Sequence, residues 1–286
     1  MPVGFHYFLA DWLIYPLLMY IVRYRRRLVW KNLTNSFPEK TDAERKSIMK
    51  AFYHQLASMV AEVVYGYTAS EAQMRQRMVF IGYEDVAQEA KKHGGAIFML
   101  GHMGNWDWLA EIEREVAPFG VTECNIYRKQ RSKFFDRLVL DIRASRGGIC
   151  VEKQQLLRAM IQHRQEGKVC TYGLISDQKP QPRYARLWTE FLHQETGFLD
   201  GGEMLAKKFD YPVYYAHVTR LKRGYYEARI LPITKDPKSM AENAITEQFA
   251  RMLEANIQES PELWLWTHNR WKWKRDKSQK TIDKRQ

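Results

Sequence analysis

Cysteine is scarce in this sequence, and no arrangement of cysteine and histidine typical of a metal site is visible. The 286 residues include three cysteines, Cys124, Cys150 and Cys170, which lie far apart and form no CxxC pair. An odd number of scattered cysteines argues against a disulfide-stapled secreted fold and against a structural zinc site. We therefore expect a reducing compartment and no metal.

Internal repeats and recognisable inter-domain linkers are absent as well. The chain is 45% hydrophobic and 27% charged, a balance that supports a substantial buried core. The chain as a whole is therefore neither a disordered segment nor a miniprotein. We expect a membrane-associated segment with a basic flank over residues 1–31, one folded domain over residues 32–274 and a polar tail over residues 275–286.

Negative charge is in deficit. The 45 lysines and arginines exceed the 33 aspartates and glutamates, which gives a net charge of +12. A nucleic acid, an anionic membrane or a phosphorylated substrate would each explain such an excess, and composition does not choose among them. The positions of the charges have to decide.

One long apolar run occupies residues 5–22, and it is interrupted by His6, Asp11 and Pro16. A membrane-spanning helix needs about 20 mostly apolar residues, whereas an interrupted segment rich in Trp and Tyr suits the membrane interface. A secretory signal would carry its positive charge before the apolar run. Here the basic residues follow it, as Arg23, Arg25, Arg26, Arg27 and Lys31. We expect the segment to lie on an anionic leaflet, where each basic side chain adds about 1 kcal/mol; an ordinary buried helix is the alternative.

The rest of the sequence alternates helical patterns with short apolar runs, which predicts an α/β fold. Thr41 and Glu44 form a capping-box pattern at the start of a long helix that extends to about Tyr67. Further helices are expected at about 84–93, 109–116, 153–166, from about 201 and at 240–258, and strands at 96–100, 169–175, 212–220 and 225–233.

The strongest catalytic candidate is the pair His102 and Asp107. His102 closely follows the predicted strand 96–100, at the edge where α/β sheets hold ligands. Asp107 would lie in the first turn of the next helix, where its carboxylate can accept a hydrogen bond from one imidazole nitrogen. That bond would fix the tautomer and leave the other nitrogen to take a proton from a hydroxyl. Gly101 and Gly104 would let a bulky substrate approach.

The spacing of the pair is weak evidence by itself. A second pair with the same spacing, His6 and Asp11, stands in the apolar N-terminal run with no strand before it, and we interpret it as accidental. For His102 the alternative is a histidine that merely forms a hydrogen bond within a turn. A metal-ligand role is disfavoured, because no third cysteine, histidine or carboxylate stands at a recognisable spacing.

Six ordered blocks carry a family resemblance. They are RYRRRLVWKNLTNSFPEK (23–40), GHMGNWD (101–107), YR (127–128), RG (146–147), SDQ (176–178) and WLWTHNRW (264–271). From about Tyr20 to Trp273 the sequence resembles the late, or secondary, acyltransferases of lipid A biosynthesis, lauroyl and myristoyl transferases related to glycerol-phosphate acyltransferases.

The resemblance implies a glycerolphosphate-acyltransferase-like mixed sheet flanked by helices, with an N-terminal membrane-associated helix. It implies transfer of a fatty acyl chain from the thioester of an acyl carrier protein to a hydroxyl of a lipid A precursor. No further cofactor is expected. The protein would be located at the cytoplasmic face of the cell inner membrane. Acyl carrier protein, a phosphorylated glycolipid and an anionic membrane would be the partners, and nucleic acid would not.

For the catalytic residues, the resemblance makes His102 the general base and Asp107 the carboxylate that orients it. Arg146 matches an arginine of the family and would hold a phosphate or the oxyanion, since guanidinium is a fixed fork of donors. Arg128 is a weaker phosphate candidate, because residues 129–131 depart from the family pattern.

Three further residues complete the expected substrate-binding set. Asp177 ends a predicted strand, as His102 nearly does, so both can converge on one edge of the sheet. The alternative for Asp177 is that it caps a loop or pairs with Arg146. Gly104 and Asn105 are the other two expected substrate-binding residues.

Several alternatives stay open. One alternative is an acyltransferase whose acceptor is another lysophospholipid, an amino lipid or a glycolipid. A second alternative is a non-enzymatic basic module that binds membranes or nucleic acid. The tryptophans at 264, 266, 271 and 273 alternate with basic residues, which fits either an interfacial belt or a terminal strand that packs on the core.

Overall fold

The chain is built around a mixed β-sheet. A computed structural model describes residues 3–127 and 147–275. The strands are β1 (Met78–Ile81), β2 (Gly95–Leu100), β3 (Thr122–Tyr127), β4 (Ile149–Glu152), β5 (Cys170–Ile175), β6 (Leu187–Phe191), β7 (Gln194–Phe198), β8 (Val213–Lys222) and β9 (Tyr225–Thr234). Seven of them form the sheet in the order β1-β9-β8-β2-β5-β3-β4, and β6 pairs with β7 in a separate hairpin.

The central strands carry continuous apolar runs because both faces of the sheet are covered. Residues 95–99 of β2 are all buried. Strand β9 is antiparallel to β8, and the other pairs within the sheet are parallel. Such burial on both faces is typical of parallel strands between layers of helices. The predicted α/β fold with a mixed sheet and flanking helices is therefore confirmed.

The helices flank this sheet and connect its strands. They are α1 (Val3–Leu9), α2 (Arg26–Ser36), α3 (Asp42–Thr68), α4 (Glu71–Arg77), α5 (Tyr83–His93), α6 (Glu113–Val116), α7 (Leu156–Gln165), α8 (Gly201–Phe209) and α9 (Ala244–Glu259). The capping box expected at the start of α3 is present, with the Glu44 carboxylate accepting from Thr41 N at 2.7 Å and Thr41 Oγ1 accepting from Glu44 N at 3.3 Å.

One predicted helix has a different form. Residues 106–112 make a 3-10 helix, and only the short α6 follows it. A 3-10 helix has three residues per turn, so Trp106, Leu109 and Ile112 lie on one face. All three line the same cavity, described below. The tighter winding thus directs three apolar side chains toward one space.

The N-terminal segment lies along α3 in the opposite direction. The Tyr7 hydroxyl donates to Glu62 Oε1 at 3.2 Å, and the Tyr15 ring stacks on His54 with centroids 3.6 Å apart. Asp11 pairs with Arg223, at 2.6 and 2.8 Å from the two guanidinium nitrogens. Asp11 of the second His-x4-Asp pair is therefore part of the protein's packing.

The outer side of this segment is apolar and exposed. After α1 it continues as two π-helical turns, Ala10–Ile14 and Leu17–Ile21. Ala10 and Met19 are buried, whereas Trp12 and Ile21 are 75% and 73% exposed. Within residues 3–127 and 147–275, no single helix has the length and apolar composition of a membrane span. The segment 3–21 and α2 would meet that test only as a pair, and they meet at an angle of 81°.

Candidate active site

His102 and Asp177 face each other at the carboxyl edge of the sheet. Leu100 at the end of β2 is paired with Ile175 at the end of β5. Each side chain follows two residues later, so continuation of the register brings the two together. His102 Nδ1 lies 2.5 Å from Asp177 Oδ1. The convergence of these residues on one sheet edge agrees with the prediction made from their strand-end positions.

The Asp177 carboxylate is buried and held by donors on both oxygens. Its Oδ2 accepts from His102 N at 2.8 Å and from Trp264 Nε1 at 2.9 Å. Burial by itself disfavours the charged form, but the charge of His102 and these hydrogen bonds outweigh it and lower the pKa of Asp177 to about 2. Asp177 is therefore a fixed negative charge against the imidazole.

This carboxylate sets the tautomer of His102. An ionised carboxylate only accepts, so Nδ1 carries the proton and Nε2 keeps its lone pair. Gln178 Nε2 lies 3.1 Å from Nε2 and is the donor to it. The His102 side chain is 12% exposed, and its ring meets the Trp106 ring edge-on with centroids 4.9 Å apart. The geometry presents an unprotonated imidazole nitrogen at the sheet edge, as a general base requires.

Asp107 lies where its spacing predicted, but it is not the partner of His102 Nδ1. The carboxylate bonded to Nδ1 of His102 is Asp177, and Asp107 stands in the first turn of the 3-10 helix 106–112. The chain between His102 and Asp107 turns at Gly104, whose φ is +57°, so residues 102–107 do not follow one helical path. Asp177 therefore orients His102 through Nδ1, and the orienting role expected of Asp107 stays a prediction.

A small apolar cavity lies beside Asp107. Its volume is about 30 Å³, enough for roughly one water molecule. Burial raises the pKa of Glu123, on its wall, well above the usual range, so that side chain adds no full charge. The lining residues come from strands of the sheet and from the 3-10 helix: Phe80, Phe98, Leu100, Trp106, Asp107, Leu109, Ala110, Ile112, Glu123, Asn125, Ile126, Gly173, Ile175, Ala216 and Ile230.

Gly104 and Asn105, expected to face the substrate, are instead buried in the protein. A Cβ on Gly104 would lie 3.1 Å from the Tyr226 ring, so this position is already filled by a protein side chain. Asn105 is 1% exposed, and its Nδ2 donates to Glu62 Oε2 at 3.0 Å. Tyr226 also donates to Glu62 Oε2, at 2.9 Å. Both residues therefore hold the loop that carries His102, and their expected contact with substrate stays a prediction.

Glu62 was not singled out from the sequence. This fully buried carboxylate of α3 receives hydrogen bonds from Asn105, Tyr226 and Tyr7, and so joins the active-site loop, β9 and the N-terminal segment. Burial raises the pKa of Glu62, although its three donors oppose the shift. Sequence offered one signal: a lone acid within an otherwise apolar part of α3.

The C-terminal block 264–271 closes the site from one side. Trp264 Nε1 donates a hydrogen bond to Asp177 Oδ2, and the Trp264 backbone forms an isolated β-bridge with Met103. His268 Nε2 accepts from Lys179 N at 3.2 Å, and burial lowers the pKa of His268 to about 4. Asn32 of α2 donates to the carbonyls of Trp266 and His268 at 2.9 and 3.1 Å. Of the two alternatives for these tryptophans, core packing applies to Trp264 and Trp266, although the segment is not a strand.

Three cations approach this edge of the sheet. Lys179 follows Gln178, and burial, then the charges of Lys272 and Arg25, lower the pKa of Lys179. Lys272 and Arg25 therefore lie close enough to Lys179 for their charges to act on it. Arg128 and Arg146, the two arginines expected to bind phosphate, lie outside the described residues.

Within residues 3–127 and 147–275, one group of side chains could hold a metal, and it lies away from His102. Cys124, His163 and Cys170 come together in space, although Cys124 stands 39 residues before His163 in the sequence. The spacing of these residues in the sequence did not predict this cluster. Sequence gave no sign of it, because the three residues belong to β3, α7 and β5.

Most of the chain is similar to a known family of bacterial proteins. The family model described as bacterial lipid A biosynthesis acyltransferase matches residues 12–273, most of the chain. No curated protein matches the chain.

Proposed function

Because the chain belongs to the bacterial lipid A biosynthesis acyltransferase family and is an acyltransferase with a lipid acceptor, we propose the following reaction for it. A fatty acyl chain passes from the thioester of an acyl carrier protein to a hydroxyl of a lipid A precursor, and His102 is the general base. The observation that carries this proposal is the 2.5 Å contact between His102 Nδ1 and Asp177, which leaves Nε2 as the acceptor at the sheet edge.

The chemistry follows from that arrangement. Nε2 of His102 takes the proton of the acceptor hydroxyl, and the hydroxyl oxygen attacks the thioester carbonyl. The tetrahedral oxyanion collapses with cleavage of the C–S bond, and the leaving sulfur takes the proton from the imidazolium. Asp177 stabilises the imidazolium between the two transfers. The protein needs no nucleophilic serine or cysteine.

Two further residues have proposed parts in this step. Gln178 Nε2 is a donor 3.1 Å from His102 Nε2, close enough to contact the oxyanion once substrate displaces it. Asp107 remains a proposed catalytic carboxylate on the strength of the family pattern, and it acts from the cavity wall beside Trp106. The acyl chain enters this apolar space, which must widen beyond its present 30 Å³ to receive it.

The acceptor's phosphate is the anion that suits the nearby cations. Burial and the charges of Lys272 and Arg25 lower the pKa of Lys179, and a bound phosphate would offset the repulsion among these charges. Arg146 and Arg128 are proposed to contribute to the same recognition. A phosphorylated acceptor explains why positive charge collects next to the proposed base.

The exposed N-terminal surface is the proposed membrane contact, at the cytoplasmic face of the inner membrane. Phe8, Trp12 and Ile21 project from it, and Val60 and Val64 of the adjoining α3 are exposed as well. A groove of about 830 Å³ next to it combines apolar and basic walls: Met19, Tyr20, Arg23, Arg25, Arg26, Arg27, Leu28, Trp30, Lys46, Met49 and Lys50. An interfacial anchor needs this combination of apolar area and cationic charge.

Mass spectrometry of lipids tests the acyl transfer. Cells that produce the wild-type protein are compared with cells that produce His102→Ala at the same level. We expect a bisphosphorylated glucosamine lipid to gain one acyl group with the wild-type protein only. A change confined to phospholipids would show that the acceptor is a phospholipid. Identical lipid profiles would refute the reaction.

Sedimentation with vesicles tests the membrane contact. Deleting the segment would remove Tyr7 and Tyr15 from their packing on α3, so single exposed residues are better targets. Trp12→Ser and Ile21→Ser should each weaken binding to anionic phospholipid vesicles by about tenfold, the cost of one buried apolar side chain. Met204→Ser, which removes an exposed apolar residue of α8, should bind like the wild type. Equal binding by all variants would refute the contact.

A further inference from the structure

Cys124, His163 and Cys170 form a compact group near the amino ends of β3 and β5. The two sulfur atoms and His163 Nδ1 all lie within 4.8 Å of one another. Nδ1 is 3.5 Å from Cys170 Sγ and 4.0 Å from Cys124 Sγ. Both cysteines are fully buried. Two sulfurs and an imidazole nitrogen are ligands that zinc and other thiophilic cations prefer.

A disulfide does not account for this group. Thr122 is the register partner of Cys170, and Cys124 is the partner of Tyr172, so the two cysteines are offset by two residues on neighbouring strands. With about 3.3 Å per residue along a strand and about 4.8 Å between strands, their Cα atoms are about 8 Å apart. A disulfide needs Cα atoms closer than about 7 Å.

His163 Nδ1 has more neighbours than one hydrogen bond can serve. The Tyr172 hydroxyl lies 3.1 Å from the same nitrogen that both sulfurs approach. An imidazole nitrogen has either one proton or one lone pair, so it serves one of these three neighbours fully. A cation between them would bond to the nitrogen and both sulfurs at once.

The distances also fit a metal. Zn–S bonds of about 2.3 Å and Zn–N bonds of about 2.0 Å in a tetrahedron place sulfur and nitrogen about 3.5 Å apart. The distances of 3.5 and 4.0 Å need only a small adjustment of Cys124.

We propose that Cys124, His163 and Cys170 are three ligands of a structural site for a thiophilic cation, Zn²⁺ in the first instance, with the Tyr172 hydroxyl beside the fourth position. On binding, the two thiols release their protons to solvent and the cation bonds to both sulfurs and to Nδ1. The metal would join α7 to β3 and β5, and it has no part in the acyl transfer proposed above.

Zinc titration of the full-length protein tests this site. The protein is purified in a metal-free reducing buffer and competes for Zn²⁺ with a chromogenic chelator. Wild-type protein should bind one equivalent. Cys124→Ser, Cys170→Ser and His163→Asn should each weaken binding by about 100-fold or more. Cys150→Ser removes the remaining cysteine, which is outside the cluster, and should bind zinc like the wild type.

A second measurement covers the case in which a variant fails to fold. In wild-type protein alone, Zn²⁺ should raise the midpoint of thermal unfolding, and it should slow alkylation of Cys124 and Cys170 but not of Cys150, as read by mass spectrometry of the peptides. Zinc affinity that is equal in all variants, or zinc that leaves both the midpoint and alkylation unchanged, would overturn the proposal.

Discussion

The two ends of strand β5 place a histidine in opposite environments. At the carboxyl end, Asp177 fixes His102, whose side chain remains partly exposed. At the amino end, Cys170 and Cys124 surround His163, and both cysteines are fully buried. Strand β5 therefore has an imidazole beside an ionised carboxylate at one edge of the sheet and a thiol–imidazole cluster toward the other.

The neighbours decide which state of the imidazole each end favours. The lowered pKa of Asp177 keeps a negative charge beside His102, which favours a proton on that ring during a reaction. Around His163, burial and the charge of Lys168 lower the pKa, so this ring stays neutral at physiological pH. A neutral imidazole suits a metal ligand, whereas a ring that gains and loses a proton suits acid–base catalysis.

Substitution of the two aspartates gives the largest expected contrast. Asp177→Asn removes the charge at Nδ1 and favours the wrong tautomer of His102, so we expect the rate of acyl transfer to fall by at least about 100-fold. Asp107→Asn should cost roughly tenfold, because Asp107 does not hold Nδ1, and Asp107→Ala should cost more than Asp107→Asn. Steady-state turnover with a saturating acyl donor is the measurement.

Thermal unfolding of the same proteins is the control, since Asp177 is buried and its replacement also affects stability. A rate for Asp107→Asn as low as that for Asp177→Asn, at matched unfolding midpoints, would show that the two carboxylates act as one unit. If Asp177→Asn turns over as fast as the wild type, Asp177 has no part in the mechanism.

Acid should destabilise the carboxyl end in two stages. His268 has a pKa of about 4, below its usual 6.5, so the stability it contributes is present above 6.5 and is lost as the pH falls toward 4. Asp177 has a pKa of about 2, below its usual 3.8, so its contribution, on the order of 2 kcal/mol, is lost between those values. Denaturant unfolding at a series of pH values measures both. His268→Asn should reduce the loss between pH 6.5 and 4, to which His163 also contributes, and an unchanged profile would contradict this.

Much of the central fold could be predicted, because its strands are long apolar runs between helices. β2, β5, β8 and β9 were expected within a few residues of their bounds, as was α3 with its capping box. β1, β4 and the β6–β7 hairpin are four or five residues long, and too little apolar periodicity accumulates in such a length. The 3-10 form of residues 106–112 depends on packing around the cavity, which no local pattern reports.

The site was predictable as far as it depends on strand ends. Both His102 and Asp177 follow a buried strand, so their edge was foreseeable, but their contact requires that β2 and β5 be neighbours in register. Spacing favoured Asp107 because it is near in sequence. Glu62 and the group around His163 are assembled from distant elements, and a single sequence carries no measure of that proximity.

The smallest effect on catalysis is expected at the amino end of β5. Cys170→Ala leaves the contact between His102 and Asp177 in place, so acyl transfer should remain within about twofold of wild type, while the lost buried sulfur lowers the free energy of unfolding by about 1 kcal/mol. Turnover and denaturant unfolding are measured on one preparation, with Cys150→Ala as the matched control. A loss of turnover beyond tenfold in a folded Cys170→Ala protein would mean that the two ends of β5 are coupled, because the strand between them would then transmit the change.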